Sequence, residues 1–219
     1  MIRAVLFDID GTLVDTNGLH AAAWAEAFQH FGHAINAQEV RGQIGKGGDN
    51  LIPTLVPDIS DEEQEKLEKF RGELFQRCYL PRAVPFAGVR ELFAKLFEDG
   101  ITIVLASSAK QQELDYHLGL IGASDLVSAA TSADDVERSK PCPDIFTAAR
   151  EKTGLPPGEV LVVGDTPWDI KAARRAGIGA IAVRCGGFPE EDLRKAGALG
   201  IFDGPGDLLA HYPEWLRPA

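Results

Sequence analysis

Two aspartates close an apolar run near the start of the chain, in the order Asp8-Ile9-Asp10-Gly11-Thr12. In an extended segment residues two apart point to the same side, so both carboxylates can share one face. Carboxylates that close repel each other unless a cation lies between them or one holds a proton. Taken alone, the pair suits either acid chemistry around a metal or the capping of a strand-to-loop turn. Three more polar groups stand in comparable places. Ser107 and Ser108 end a second apolar run, where a hydroxyl can donate to a phosphate oxygen or cap the helical pattern at 109–118. Lys140 stands before Pro141 and Pro143 on a loop, either as a solvated lysine or as a positive charge fixed where a phosphate could meet it. Gly164-Asp165-Thr166-Pro167-Trp168-Asp169 sets two acids one helical turn apart. Their hard oxygens suit magnesium, and acids also cap helix N-termini.

The elements that must position these groups follow from periodicity. Residues 4–7, 101–106, 160–163 and 180–183 are continuous apolar runs, the pattern of strands buried on both faces, with weaker candidates near 126–130 and 199–202. Helical patterns separate them: Val89, Leu92, Phe93, Leu96 and Phe97 ahead of Gly100, then 143–153 and 168–176, each ending before a glycine. Strands alternating with helices predict an α/β fold with a doubly wound parallel sheet and its active groups at the carboxyl ends of the strands. About seventy residues between the first strand and the helix at 88 break that rhythm and carry helical signals only, too long a stretch for a loop. Residues 18–31 read as a helix, and Ser60 with Glu63 forms a capping box before the stripe Leu67, Phe70, Leu74 and Cys78. The expected division is an α/β core over 1–15 and 86–219, interrupted by an inserted α-helical cap over 16–85.

Composition narrows the partners. Acidic residues outnumber basic ones 33 to 22, a formal net charge of -11. That excess disfavours nucleic acid or an anionic membrane surface. Three cysteines with no paired spacing argue against structural zinc and a disulfide framework, which fits a reducing cytoplasm. The run at 4–7 is too short for a signal peptide or a membrane span.

Four such groups on one edge of one sheet are hard to reconcile with four unrelated caps. In order and spacing, Asp-x-Asp-Gly-Thr, a serine, a lysine and Gly-Asp-x-x-x-Asp resemble the motifs of the haloacid dehalogenase-like (HAD) hydrolase superfamily, in its phosphatase and β-phosphoglucomutase-like branch with a small helical cap. The resemblance spans essentially the whole chain and is specific for chemistry rather than for substrate. It implies that Asp8 is a nucleophile forming an aspartyl-phosphate, and that Asp10 is first general acid, then general base. It implies magnesium held by Asp8, the Asp10 carbonyl and Asp165, supported by Asp169 directly or through water. Ser107 and Lys140 would hold the phosphoryl oxygens. Asp10 disfavours dehalogenation, because a departing halide needs no proton.

Specificity is expected in the cap. Thr16 and His20 follow the first motif, with Trp24 a turn further on, an arrangement similar to sugar-phosphate enzymes of this cap type. Taken alone, His20 reads first as a helix-packing or surface histidine, and only then as a group at the site entrance. The glycine-rich stretch 41–49 lacks the strand and hydroxyl residue of a P-loop. It resembles a substrate-specificity loop, with Lys46 or Arg41 reaching towards the substrate and Gly47 and Ser108 near it, or else an ordinary interhelical turn. His30 and His33 have no evident acidic partner, and Phe93, Phe97 and Phe146 read as core. The implied activity is a magnesium-dependent phosphomonoester hydrolase of a small phosphorylated metabolite, of sugar-phosphate or phosphoglycolate type. A phosphomutase of the β-phosphoglucomutase type is the alternative. A non-catalytic binding module would require a broken motif, and none is broken. A cytoplasmic monomer or weak homodimer completes the expectation.

Overall fold

The computed structural model describes residues 1–216. The strand β1 (Ala4–Phe7) leads into a two-residue strand β2 (Val14–Asp15). Four helices follow: α1 (Asn17–His30), α2 (Ala37–Arg41), α3 (Gly48–Leu55) and α4 (Asp61–Leu74). The chain returns through β3 (Val84–Pro85), which pairs antiparallel with β2, so the two connections of the helical segment run side by side. Strands and helices then alternate: α5 (Val89–Glu98), β4 (Thr102–Ala106), α6 (Gln111–Ile121), β5 (Ala129–Thr131) and α7 (Asp144–Thr153). The last elements are β6 (Val160–Gly164), α8 (Pro167–Arg175), β7 (Gly179–Val183), α9 (Glu190–Ala196), β8 (Gly200–Phe202) and α10 (Pro205–Ala210).

Six strands form one parallel sheet in the order β5-β4-β1-β6-β7-β8. The connections run outward on one side of β1 and then cross to the other, so β1 lies at the topological switch where such sheets open a crevice. Alternation along β1 explains the three layers. Val5 and Phe7 face a cluster with Leu92, Phe93 and Leu96 of α5 and Leu114 of α6. Ala4 and Leu6 face Phe146 of α7 and Ile170 of α8. The helical segment has its own apolar cluster, in which Trp24 and Phe28 of α1 meet Val40, Leu51, Ile52 and Leu67. No helix among the described residues is long and apolar enough to cross a membrane.

Several local expectations are corrected. Phe97 is 57% exposed, because the α5 face that meets the sheet is already filled by Val89, Leu92, Phe93 and Leu96. Ser60 accepts from the Glu63 N–H, but the Glu63 carboxylate turns to His33 Nε2 at 3.1 Å, so the box is half formed and His33 has an acidic partner after all. Helix α6 starts at Gln111 rather than 109, and Asp134 accepts its first N–H at 2.9 Å, a job neither serine does. The sequence reading missed α2, although Asn36 and Glu39 form a complete capping box before it.

Phe93 is fully buried, with its ring centroid 4.9 Å from that of Phe7 under the sheet. Phe93→Ala should cost about 3–5 kcal/mol through lost burial and the cavity left behind. A thermal melt should move down by roughly 10 °C at this chain length.

Candidate active site

The register of the sheet aligns the ends of three strands. Phe7 lies between Leu105 and Val163, so the next residues emerge together at the carboxyl edge. Asp8 continues the ladder by donating its N–H to the Val163 carbonyl, and Ser107 does the same to Thr131. Asp165 follows the end of β6, and Asp169 opens α8 in a reciprocal capping box with Thr166. The predicted groups from β1, β4 and β6 therefore share one edge, and Lys140 joins them.

Lys140 is almost fully buried, and no solvated lysine would be. Its Nζ lies 2.5 Å from Asp8 Oδ1 and 2.7 Å from Asp169 Oδ1. The hydroxyl of Thr12 stands between Asp8 Oδ2 and Asp165 Oδ1, 3.1 Å from each. Asn17 donates to Asp165 Oδ2 at 2.7 Å and to the Gly186 carbonyl at 2.9 Å. Two glycines let the chain close this tightly. Gly11 has φ +77°, and a Cβ there would overlap the Asn17 amide nitrogen. A Cβ on Gly186 would collide with Asp165 Oδ2.

Three buried carboxylates thus lie together, and Lys140 pairs with two of them. Burial pushes Asp8 up to about 7, helped by Asp169 and Asp10, while Lys140 pulls it back. Burial, then the charges of Asp169 and Asp8, raise Asp165 well above the usual range. Burial works against the Lys140 charge, but Asp169 and Asp8 outweigh it and raise its pKa. One oxygen each of Asp8, Asp165 and Asp169 lies within 4.8 Å of the other two. A carboxylate offers about four lone-pair positions, of which Asp8 and Asp165 each use two here. Excess buried negative charge and spare hard oxygens fit a small divalent cation such as magnesium. Asp169 is the most committed of the three, to Thr166 and Lys140.

Replacing Lys140 tests that balance. Lys140→Met in the presence of a chelator should cost about 3–5 kcal/mol at pH 8, the penalty for unpairing buried charges. The folded-state carboxylate pKa values are raised, so protons neutralise Asp8 and Asp165 as the pH falls. The gap between parent and variant in thermal melts should therefore narrow from pH 8 towards pH 5.

Asp10 sits in a different setting. Its Oδ1 accepts from the Thr16 hydroxyl at 2.6 Å, and lies 3.0 Å from His20 Nε2 and 3.5 Å from His117 Nε2. Arg71 of α4 donates to His20 Nδ1, which leaves the His20 proton on Nε2, pointing at Asp10. The Arg71 guanidinium is held over the rings of Trp24 and Phe75 at 4.9 and 4.8 Å. Burial alone would raise the Asp10 pKa, but His20 and His117 outweigh it and hold the carboxyl well below the usual range. Burial would lower His117, yet Asp10 and Glu113 carry it up to about 10.

A cavity of about 710 Å³ opens over this edge, lined by Asp8, Asp10, His20, Lys46, Gly47, Arg71, Ser108 and Lys140 among others. Thr16 is fully buried and spent on Asp10, and its hydroxyl does not line the cavity. Ser107 is also fully buried, with its Oγ accepting from the Ala109 N–H at 3.0 Å; Ser108 is the serine on the cavity wall. Gly47 donates its N–H to Ser139 Oγ at 3.1 Å, joining the glycine-rich stretch to the loop of Lys140. Lys46 turns its ammonium to Gln43 at 2.6 Å and over the Trp168 ring at 4.3 Å. Arg41 lines a separate groove with Trp168 and Phe188. The sequence reading left Thr12 and Asn17 without roles and missed Arg71, Glu113 and His117 altogether.

Comparison with known proteins agrees with this geometry. Residues 5–183 match the model of the haloacid dehalogenase-like hydrolase family. N-acetylmuramic acid 6-phosphate phosphatase of Pseudomonas putida is 30% identical over 212 residues, 94% of each chain. Pyrophosphatase PpaX of Oceanobacillus iheyensis is 29% identical over 182 residues, 83% of each chain. The crystal structure of a hydrolase from Pseudomonas syringae has a TM-score of 0.91 and 31% identity, covering 96% of this chain and 98% of that one. A parallel sheet with acids from β1 and β6 and a buried lysine at one edge, together with these matches, makes this chain a member of the haloacid dehalogenase-like hydrolase family.

Proposed function

We propose that the chain is a magnesium-dependent phosphatase of a small phosphorylated metabolite, working through an aspartyl-phosphate on Asp8. The observation that carries the reading is the contrast between two neighbouring acids on one cavity wall. Asp8 is crowded by other carboxylates and steadied by Lys140, whereas Asp10 is bonded to proton-bearing groups. That divides the labour between a nucleophile and a proton carrier.

In the first step an Asp8 oxygen attacks phosphorus, the bond to the leaving oxygen breaks, and that oxygen takes a proton from the Asp10 side. Asp10 rests as an anion facing the His20 N–H, so it takes up a proton from solvent as the substrate's negative charge enters the cavity, and then passes it to the leaving oxygen. In the second step Asp10 accepts a proton from water as the water attacks phosphorus. The bond to Asp8 breaks, which releases phosphate and restores the carboxylate. Lys140 holds negative charge beside Asp8 throughout, with Ser108 and the Ser107 main chain at the adjoining strand end. Magnesium, held by Asp8 and Asp165 with Asp169 in support, would neutralise phosphoryl charge at this edge.

The helical segment 16–85 serves as a cap that excludes water and selects the leaving group. Lys46 is a cation of the cap on the cavity wall that can turn to the substrate once it leaves Gln43. Lys46→Ala should raise KM by about fivefold, the worth of about 1 kcal/mol of partly exposed contact. kcat should stay within about twofold, as expected for binding shared by ground and transition states. The proposed setting is the cytoplasm, as a monomer or weak homodimer.

The test is phosphate release, with and without magnesium, from phosphoglycolate, N-acetylmuramic acid 6-phosphate, several sugar phosphates, pyrophosphate and β-glucose 1-phosphate. Magnesium-dependent release from a subset supports the phosphatase. Glucose 6-phosphate formed from β-glucose 1-phosphate without free phosphate would move the assignment to a mutase. No conversion of any of them would overturn the reading.

A further inference from the structure

Two buried ionisable groups beside Asp10 have no part in the chemistry above. Glu113 and His117 stand one turn apart on one face of α6. His117 is fully buried and Glu113 is 7% exposed. His117 Nε2 lies 3.5 Å from Asp10 Oδ1 and 3.8 Å from Glu113 Oε1, which lies 3.6 Å from His20 Nε2. Among the described residues, neither ring nitrogen of His117 nor Oε1 of Glu113 has a hydrogen-bond partner. Their neighbours along the helix, Leu114 and Ile121, join the apolar core under the sheet. Apolar side chains at 113 and 117 would fill that space without the desolvation cost of buried charge. Packing therefore gives no account of the pair.

Its placement does. The other contacts to Asp10 Oδ1 come from Thr16 and His20, at the start of the helical segment. Among the described residues, His117 alone approaches that oxygen from a helix of the α/β core. Glu113 faces both imidazoles and lies near Arg71, so two acids, Asp10 and Glu113, are interleaved with three basic groups. We infer that Glu113 and His117 are positioning residues, which hold the Asp10 carboxylate in the frame of the core so that it stays aimed at the leaving oxygen whatever the helical segment does. This rests on the reading of Asp10 as the acid that serves that oxygen.

The test compares kcat/KM, which covers binding and the first phosphoryl transfer only, for two kinds of leaving group. One substrate is p-nitrophenyl phosphate, whose phenolate departs without a proton. The other is the best alkyl phosphate from the panel above. His117→Phe and Glu113→Gln should each lower kcat/KM for the alkyl phosphate by about tenfold, a part of the full general-acid contribution. The loss should fall in kcat with KM nearly unchanged, and p-nitrophenyl phosphate should change by less than about twofold. Asp10→Asn should show the same selectivity at larger size, and Asp10→Asn combined with His117→Phe should be no worse than Asp10→Asn alone. The ratio between two substrates does not depend on how much of a sample is folded, and Glu113→Gln keeps the shape of the side chain. Equal losses on both substrates, or an additive double variant, would overturn the positioning role. If Asp10→Asn itself shows no dependence on the leaving group, the acid reading fails and takes this inference with it.

Discussion

Asp8→Asn should lower turnover of every substrate by roughly 10⁴-fold or more, the loss that follows removal of a covalent nucleophile. The amide has nearly the shape of the carboxylate, so the sheet edge and the cavity should be preserved, and the loss should be in kcat. Stability gives a second readout with a definite sign. Burial and neighbouring acids raise the Asp8 pKa from 3.8 to about 7 in the folded chain. The folded state therefore holds that proton more tightly than the unfolded one, and the parent loses stability as the pH rises through that window. The variant has no such group. In chelator, its melting temperature relative to the parent should climb between pH 4 and pH 7 and level off above. Added magnesium should raise the parent more than the variant, because one of the oxygens suited to the ion is gone. A variant that keeps more than about a hundredth of parental turnover, with deamidation back to aspartate ruled out by mass, would remove Asp8 from the nucleophile role.

Much of this site could be read in advance because of where strands end. A strand buried on both faces is a continuous apolar run, and the first polar residue after it must emerge at the edge. That located Asp8, Ser107 and Asp165 from short runs in a single sequence. Lys140 was harder, because a lysine on a loop is normally solvated. It is buried through pairing with Asp8 and Asp169, partners distant in sequence. The surroundings of Asp10 were illegible for the same kind of reason. On α6, Glu113 and His117 at a four-residue spacing look like the polar face of an amphipathic helix, as does Arg71 in Glu68-Lys69-Phe70-Arg71. Only the folded arrangement of α1, α4 and α6 reveals that these three polar positions gather around Asp10 and His20. An asparagine before Gly18 suits a turn, yet Asn17 begins α1 and anchors Asp165. Strands β2 and β3 are two residues each, too short for any periodic signal. Phe97 shows the limit of periodicity from the other side, since a wide apolar stripe does not tell which of its edges meets the sheet.

Asp10→Asn separates the two halves of the proposed cycle. With an alkyl phosphate the leaving oxygen needs a proton, so turnover should fall by roughly 10²- to 10⁴-fold, the usual range of general acid–base catalysis. With p-nitrophenyl phosphate the first transfer should proceed at close to the parental rate, since the phenolate leaves unaided. The second half still needs Asp10, because the attacking water must lose a proton. The aspartyl-phosphate should then accumulate, and rapid mixing should show a burst of nitrophenolate stoichiometric with enzyme, followed by a slow steady rate. The side chain's own surroundings favour this outcome. The amide oxygen of the Asp10→Asn variant can still accept from Thr16 and His20, so the side chain should keep its position while its capacity to take up a proton is lost. Mass spectrometry of the quenched reaction should find one phosphoryl group, on Asp8. A proportional loss on both substrates with no burst would mean that Asp10 organises the site without carrying a proton, and the proton path would then have to be sought among His20 and His117.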